Sequence, residues 1–281
     1  MGRKFSRQEI LARLRSTATE GKPIIAAGSS AGIIAKCAEL GGADLIMVYS
    51  SGRARLQGLQ TTILDNSNKL TLDMYDEIEN VVENTPIIAG IDATDPSSVM
   101  DLPGLVKKFS DTGFSGIINF PTYGFFADEE WRREREAAGI GFSREAELIR
   151  AARQSDIFTM AYVFYPEDAR TMARAGVDCM VPHAGGTTGG LVGFDSIAAS
   201  LQDAASRVQE MIAATREVNP NIICLAHGGP FSEPADTAFL YEKTDAAGFV
   251  GASSIERIPV ERAVKGVVEE FKKIRLKRNL T

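Results

Sequence analysis

Eight short, continuously apolar runs recur along the chain, at residues 23–27, 45–49, 86–91, 116–120, 158–164, 179–181, 222–226 and 248–250, and stretches with helical spacing separate them. Runs that are apolar on every residue suit parallel strands covered on both faces. Strand and helix alternating eight times suits a closed α/β cylinder, the (β/α)8 or TIM barrel; an open doubly wound sheet is the alternative. One such barrel takes about 250 residues, so residues 1–281 read as a single domain.

Ser6 and Glu9 have capping-box spacing, and Ile10, Leu11 and Leu14 follow at helical intervals, which predicts an additional N-terminal helix before the first strand. Near the other end, Pro259 suits the first turn of a helix that puts Val260, Val264, Val267, Val268, Phe271 and Ile274 on one side. That face is expected to pack against the barrel wall. Residues 52–69 and 122–142 exceed ordinary connection length and are candidate lids.

Charge narrows the partners. The net charge of -6, with basic residues dispersed apart from Lys272, Lys273, Arg275, Lys277 and Arg278, leaves no footprint for nucleic acid. The basic cluster is expected to complement the negative end of the last helix. Residues 1–20 carry charges throughout and contain no signal-peptide or membrane-spanning stretch, so no membrane partner and a cytoplasmic location are expected. Cys37, Cys179 and Cys224 each sit in an apolar run without metal-type spacing and read as reduced core thiols.

In such a barrel the chemistry sits where the strands end. The only two histidines, His183 and His227, both fall there, each where an apolar run breaks into glycine. Their work divides between proton transfer and binding a divalent metal such as Mg2+ together with Asp92, which ends the third run. Ser29, Ser50, Arg53, Asn119 and Tyr165 occupy other run ends and are candidate substrate contacts. Gly228 and Gly229, with Gly251, Ser253 and Ser254, fall in the last two turns, where barrels often hold an anion; glycine that merely turns the chain is the plainer reading. Glu256 either touches substrate or pairs with Arg257, and Asp95 is expected to cap the next helix. No lysine lies in an expected strand, which removes a Schiff-base mechanism, and no G-x-G-x-x-G turn heads the chain, which speaks against a nucleotide cofactor.

His227-Gly228-Gly229-Pro230, residues 251–257 and Thr187-Thr188-Gly189-Gly190 together resemble the phosphoenolpyruvate hydrolase-like, or TIM-barrel signal transduction, family, and the resemblance spans nearly the whole chain. It implies a barrel like that of indole-glycerol-phosphate synthase, with phosphonopyruvate or phosphoenolpyruvate as substrate. The Mg-binding D-x-D-x-x-x-G signature of the phosphoenolpyruvate mutase and isocitrate lyase group is not matched by Asp92-Ala93-Thr94-Asp95. The expectation is an enzyme acting on a small anionic 2-oxo acid or phosphorylated metabolite, by hydrolysis or by C–C or C–P cleavage. The alternative is a non-catalytic metabolite-binding or regulatory barrel. Homo-oligomer formation is compatible with either.

Overall fold

The computed structural model describes residues 3–95, 101–126, 128–194 and 200–276. Nine parallel strands form one sheet: β1 (Ile24–Gly28), β2 (Leu45–Val48), β3 (Ile87–Ile91), β4 (Gly116–Asn119), β5 (Phe158–Val163), β6 (Cys179–Pro182), β7 (Ile223–Cys224), β8 (Ala226–His227) and β9 (Gly248–Gly251). Leu225 divides β7 from β8, and the two pieces make one stave. β7 pairs with β6, β8 pairs with β9, and β9 pairs with β1. A parallel bridge between His183 and His227 joins the same staves at their ends, so the cylinder closes through the two histidines.

Every strand is buried on both faces, and side chains alternate between two apolar layers. Ile24, Ala26, Leu45, Met47, Ile88, Ile118, Met160, Val181, Leu225 and Val250 fill the interior. Their neighbours Ala27, Ile46, Val48, Ala89, Ile117, Ala161, Met180 and Phe249 pack outward beneath the helices.

In chain order the helices begin with α1 (Arg7–Thr19), α2 (Gly32–Leu40), α3 (Ser51–Leu56), α4 (Ser67–Asp73), α5 (Tyr75–Glu79) and α6 (Leu102–Thr112). They continue with α7 (Glu129–Ala137), α8 (Phe142–Gln154), α9 (Pro166–Arg174), α10 (Leu201–Val218), α11 (Pro234–Lys243) and α12 (Ile258–Lys273). The expected capping box opens α1: Ser6 accepts from the Glu9 N–H while Glu9 accepts from the Ser6 N–H. Phe5, Ile10, Leu11 and Leu14 join the interior layer from below. The polar side of α1 holds residues just before strands, with Thr17 on Asp44 at 2.7 Å and Arg7 on Asp178 at 2.8 Å. The bottom of the barrel is therefore plugged, and any cavity must open at the top.

Three expectations change. α12 forms as predicted, but its apolar face is not covered: Val264, Val267, Val268, Phe271 and Ile274 are all exposed, and Phe271 is 70% exposed. The helix packs principally on the π turn Ser253–Arg257 that precedes it, which carries it off the wall. Cys37 is exposed, because α2 turns Gly32 and Ala35 inward; Cys179 and Cys224 are buried and free. Asp101, not Asp95, caps α6, and Asp95 instead accepts from Asn66 and Asn68. Lys277 and Arg278 of the basic cluster lie outside the described residues.

Candidate active site

A cavity of about 320 Å³ opens at the C-terminal ends of the strands. His183 and His227 stand on its floor with ring centroids 4.5 Å apart and planes at 71°. The local chain explains the closeness. Ala184 N–H donates to the His227 carbonyl at 2.8 Å, and Gly229 N–H donates to the Gly185 carbonyl at 2.7 Å, so the two loops after β6 and β8 cross in contact. Gly228 has φ +77°, and a Cβ there would stand 2.2 Å from the Gly185 oxygen and 3.1 Å from His183 Cε1. Only glycine permits that crossing.

Hydrogen bonds give the imidazoles opposite tautomers. His227 Nδ1 lies 2.6 Å from the Val250 carbonyl, which only accepts, so Nδ1 carries the proton and Nε2 keeps its lone pair. His183 Nδ1 accepts from the Gly185 N–H at 3.0 Å, so its proton is on Nε2. Burial, reinforced by the neighbouring imidazole, pushes His183 well below the ordinary histidine value. Burial brings His227 down to about 4, against the opposing bond to the Val250 carbonyl. Both rings are neutral at pH 7, one presenting a donor and the other an acceptor.

Beside them lies a buried ion pair. Arg55 Nε and Nη2 each stand 2.8 Å from Glu256 Oε2, with side chains 1% and 0% exposed, and Glu256 Oε1 accepts from the Ser30 N–H at 2.6 Å. Arg55 Nη1 reaches Ser51 Oγ at 3.3 Å and Thr61 Oγ1 at 3.4 Å, and Thr61 Oγ1 lies 3.4 Å from Ser253 Oγ. These groups form one polar side of the cavity. The opposite side is aromatic: Phe125 meets Phe164 at 5.6 Å and Phe126 at 6.2 Å, and Phe164 stacks on His183 at 4.5 Å. Tyr49 and Tyr162 complete the floor, their phenols held protonated by burial. Both long connections contribute, through Thr61, Thr62 and Ile63 from one and Thr122, Phe125 and Phe126 from the other.

Of the candidate site residues, His183, His227 and Ser253 line the cavity, and Thr187 and Ala252 from the family motifs join them. The other candidates stand outside that lining. Asp92 is turned onto Thr94, accepting from its N–H and hydroxyl at 2.8 Å, and burial raises its pKa. Asn119 joins β4 to β5, accepting from Tyr162 N–H at 2.7 Å and donating to Glu145 at 2.6 Å. Ser50 bonds Ser67, Ser29 N–H donates to the Met47 carbonyl, Arg53 lies 3.8 Å from Glu77, and Tyr165 sits under the Arg132 guanidinium. Gly251 packs against Ile255, and the Ser254 hydroxyl is buried. Glu256 pairs with Arg55, while Arg257 pairs with Glu261 at 2.8 Å.

Arg55 lies beyond the end of any apolar run, although its spacing holds a clue. Residues two apart on a helix point to opposite sides, so if Arg53 faces out, Arg55 faces in. Glu145 likewise lies far from any run end: fully buried in α8, it accepts from Tyr123 N–H at 2.7 Å, and burial pushes it up to about 8. Among the described residues no group of three or more His, Cys, Asp or Glu could hold a metal ion.

A family model described as phosphoenolpyruvate hydrolase-like matches residues 9–274. Two tomato (Solanum lycopersicum) proteins are similar: the ToMV susceptible protein tm-1(GCR26), 41% identical over 270 residues, and the ToMV resistance protein Tm-1(GCR237), 41% identical over 273. The matches cover 94% and 95% of this chain but 35% and 36% of those proteins, so the chain spans about a third of their length. A solved phosphonopyruvate hydrolase, in complex with oxalate and Mg++, shares the fold at TM-score 0.54 and 19% identity, over 95% of this chain and 87% of that one.

Proposed function

The chain belongs to the phosphoenolpyruvate hydrolase-like family, and from that premise we propose that it is an acid–base enzyme cleaving a bond next to the carbonyl of a small oxo acid in the rim cavity. The observation that carries the reading is the facing pair of neutral imidazoles with opposite tautomers. His227 Nε2 takes a proton from water as the water oxygen bonds to the carbonyl carbon. His183 Nε2–H donates to the oxygen that becomes negative. When the adjacent C–C bond breaks, its electron pair goes to the leaving carbon and the proton on His227 follows it. A pKa near 4 makes His227 a weak base, but a bound carboxylate favours the imidazolium and raises it toward the working range. Arg55, Ser51, Thr61 and Ser253 are the groups proposed to meet the acid end.

The phosphonopyruvate hydrolase of known structure was solved with Mg++. The residues here do not fit that ion. A hard cation takes oxygen ligands, carboxylates foremost, whereas among the described residues the cavity lining contains no Asp or Glu, and Glu256 is held by Arg55 and Ser30. The proton transfers above run through imidazoles alone.

The test is turnover of a panel of 2-oxo and 3-oxo acids, phosphonopyruvate and oxaloacetate included, followed by NMR. His183→Gln and His227→Gln should each lower kcat/KM by about 10²-fold or more. Retention within a few-fold refutes the assignment. A second reading, a non-catalytic ligand-binding barrel, is favoured by the largely aromatic lining and by the tomato relatives, which are named for ToMV susceptibility and resistance. It expects binding with no turnover of any panel member.

A further inference from the structure

We infer that the ligand of the rim cavity is an acid with an aryl or similarly flat apolar group, seated with its acid end at Arg55 and its apolar group between Phe164 and the Phe125–Phe126 turn. This rests on reading the cavity as the ligand site and adds which ligand it takes. The lining separates by chemistry. Arg55, Ser51, Thr61 and Ser253 are linked to one another by polar contacts of 3.3–3.4 Å, whereas Phe125, Phe126 and Phe164 touch only across ring faces and edges. The imidazoles link the two groups: His183 stacks on Phe164, and His227 beside it feels the Arg55 charge.

The mouth is unusual. Phe125, Phe126 and Ile63 line the cavity and yet are 40%, 46% and 52% exposed. Aromatic side chains left this open around a concave site mark a surface that a ligand covers. A three-carbon oxo acid bound at Arg55 offers nothing to place against them. An aryl group does, and offset or edge-on ring contacts add to the burial of its surface.

Phenylpyruvate and pyruvate carry the same head and differ only in the ring, so titration calorimetry with both isolates the apolar contact. Trp131, the only tryptophan, packs on Phe126 at 4.5 Å and gives an independent fluorescence signal at the mouth. Phenylpyruvate should bind at least tenfold more tightly than pyruvate and phosphonopyruvate and should change Trp131 emission. Phe125→Ala should reduce that preference below about threefold. Equal or weaker binding of phenylpyruvate, no binding, or a preference untouched by Phe125→Ala overturns the inference. The readout needs no catalysis, so His227→Gln should keep the preference. Phenylpyruvate bound but never processed, alongside an idle panel, refutes the enzyme and leaves this inference standing; turnover of phosphonopyruvate without an aryl preference does the reverse.

Discussion

Replacing Arg55 by methionine isolates what the buried ion pair does. The change keeps most of the side chain's length but leaves Glu256, whose side chain is fully buried, with the Ser30 N–H as its remaining partner. A bare carboxylate there is more costly than a protonated one, so the variant takes up a proton, and the cost of doing so bounds the penalty. A glutamate in water ionises near pH 4.3, and each pH unit above that costs about 1.4 kcal/mol. Arg55→Met should therefore lose about 3.7 kcal/mol at pH 7 but only about 1 kcal/mol at pH 5. Against a barrel stability of about 5–15 kcal/mol the first value is large and still measurable. Urea unfolding followed by circular dichroism at both pH values reads the difference directly. Adding Glu256→Gln to Arg55→Met should return about 2 kcal/mol or more at pH 7, since no charge is then left behind. An equal loss at both pH values, or no recovery in the double variant, refutes the account.

The wild-type protein should show two opposed pH limbs. His227 has its pKa lowered to about 4, so as pH falls below 6.5 the unfolded chain gains a proton that the folded one refuses, and about 3 kcal/mol is lost by pH 4. Glu145 is raised to about 8, so as pH rises from 4.5 the unfolded chain loses its proton first and about 4 kcal/mol is lost by pH 8. His183, lowered in the same sense as His227, places the stability maximum near pH 6.5. His227→Gln should flatten the acid limb and Glu145→Gln the alkaline one in melting curves taken across pH; limbs that survive these changes contradict the assignment.

The barrel was legible because strands covered on both faces must be apolar at every position, and each expected run lies within a residue or two of its strand. The histidines were legible for a related reason: two rings at the ends of such runs must share the rim once the cylinder closes. What the sequence could not show is which hydrogen bonds already engage each polar group. Gly229 follows His227 as an anion-binding turn would, yet its N–H is held by the Gly185 carbonyl. Asp92 ends a strand, yet Thr94 takes its carboxylate, and Arg53 stands two residues away from the arginine that faces inward.

The same limit governs the chemistry. An imidazole in a sequence has no tautomer; Val250 gives one to His227 because β9 lies beside β8, and Gly185 gives the other to His183 because the chain turns back at that point. Donor and acceptor are thus assigned by backbone groups two residues away in one case and 23 in the other. Moving either carbonyl or N–H partner would leave two rings in place that no longer face each other as donor and acceptor, which makes strand register a determinant of the proposed proton transfer as direct as the histidines themselves.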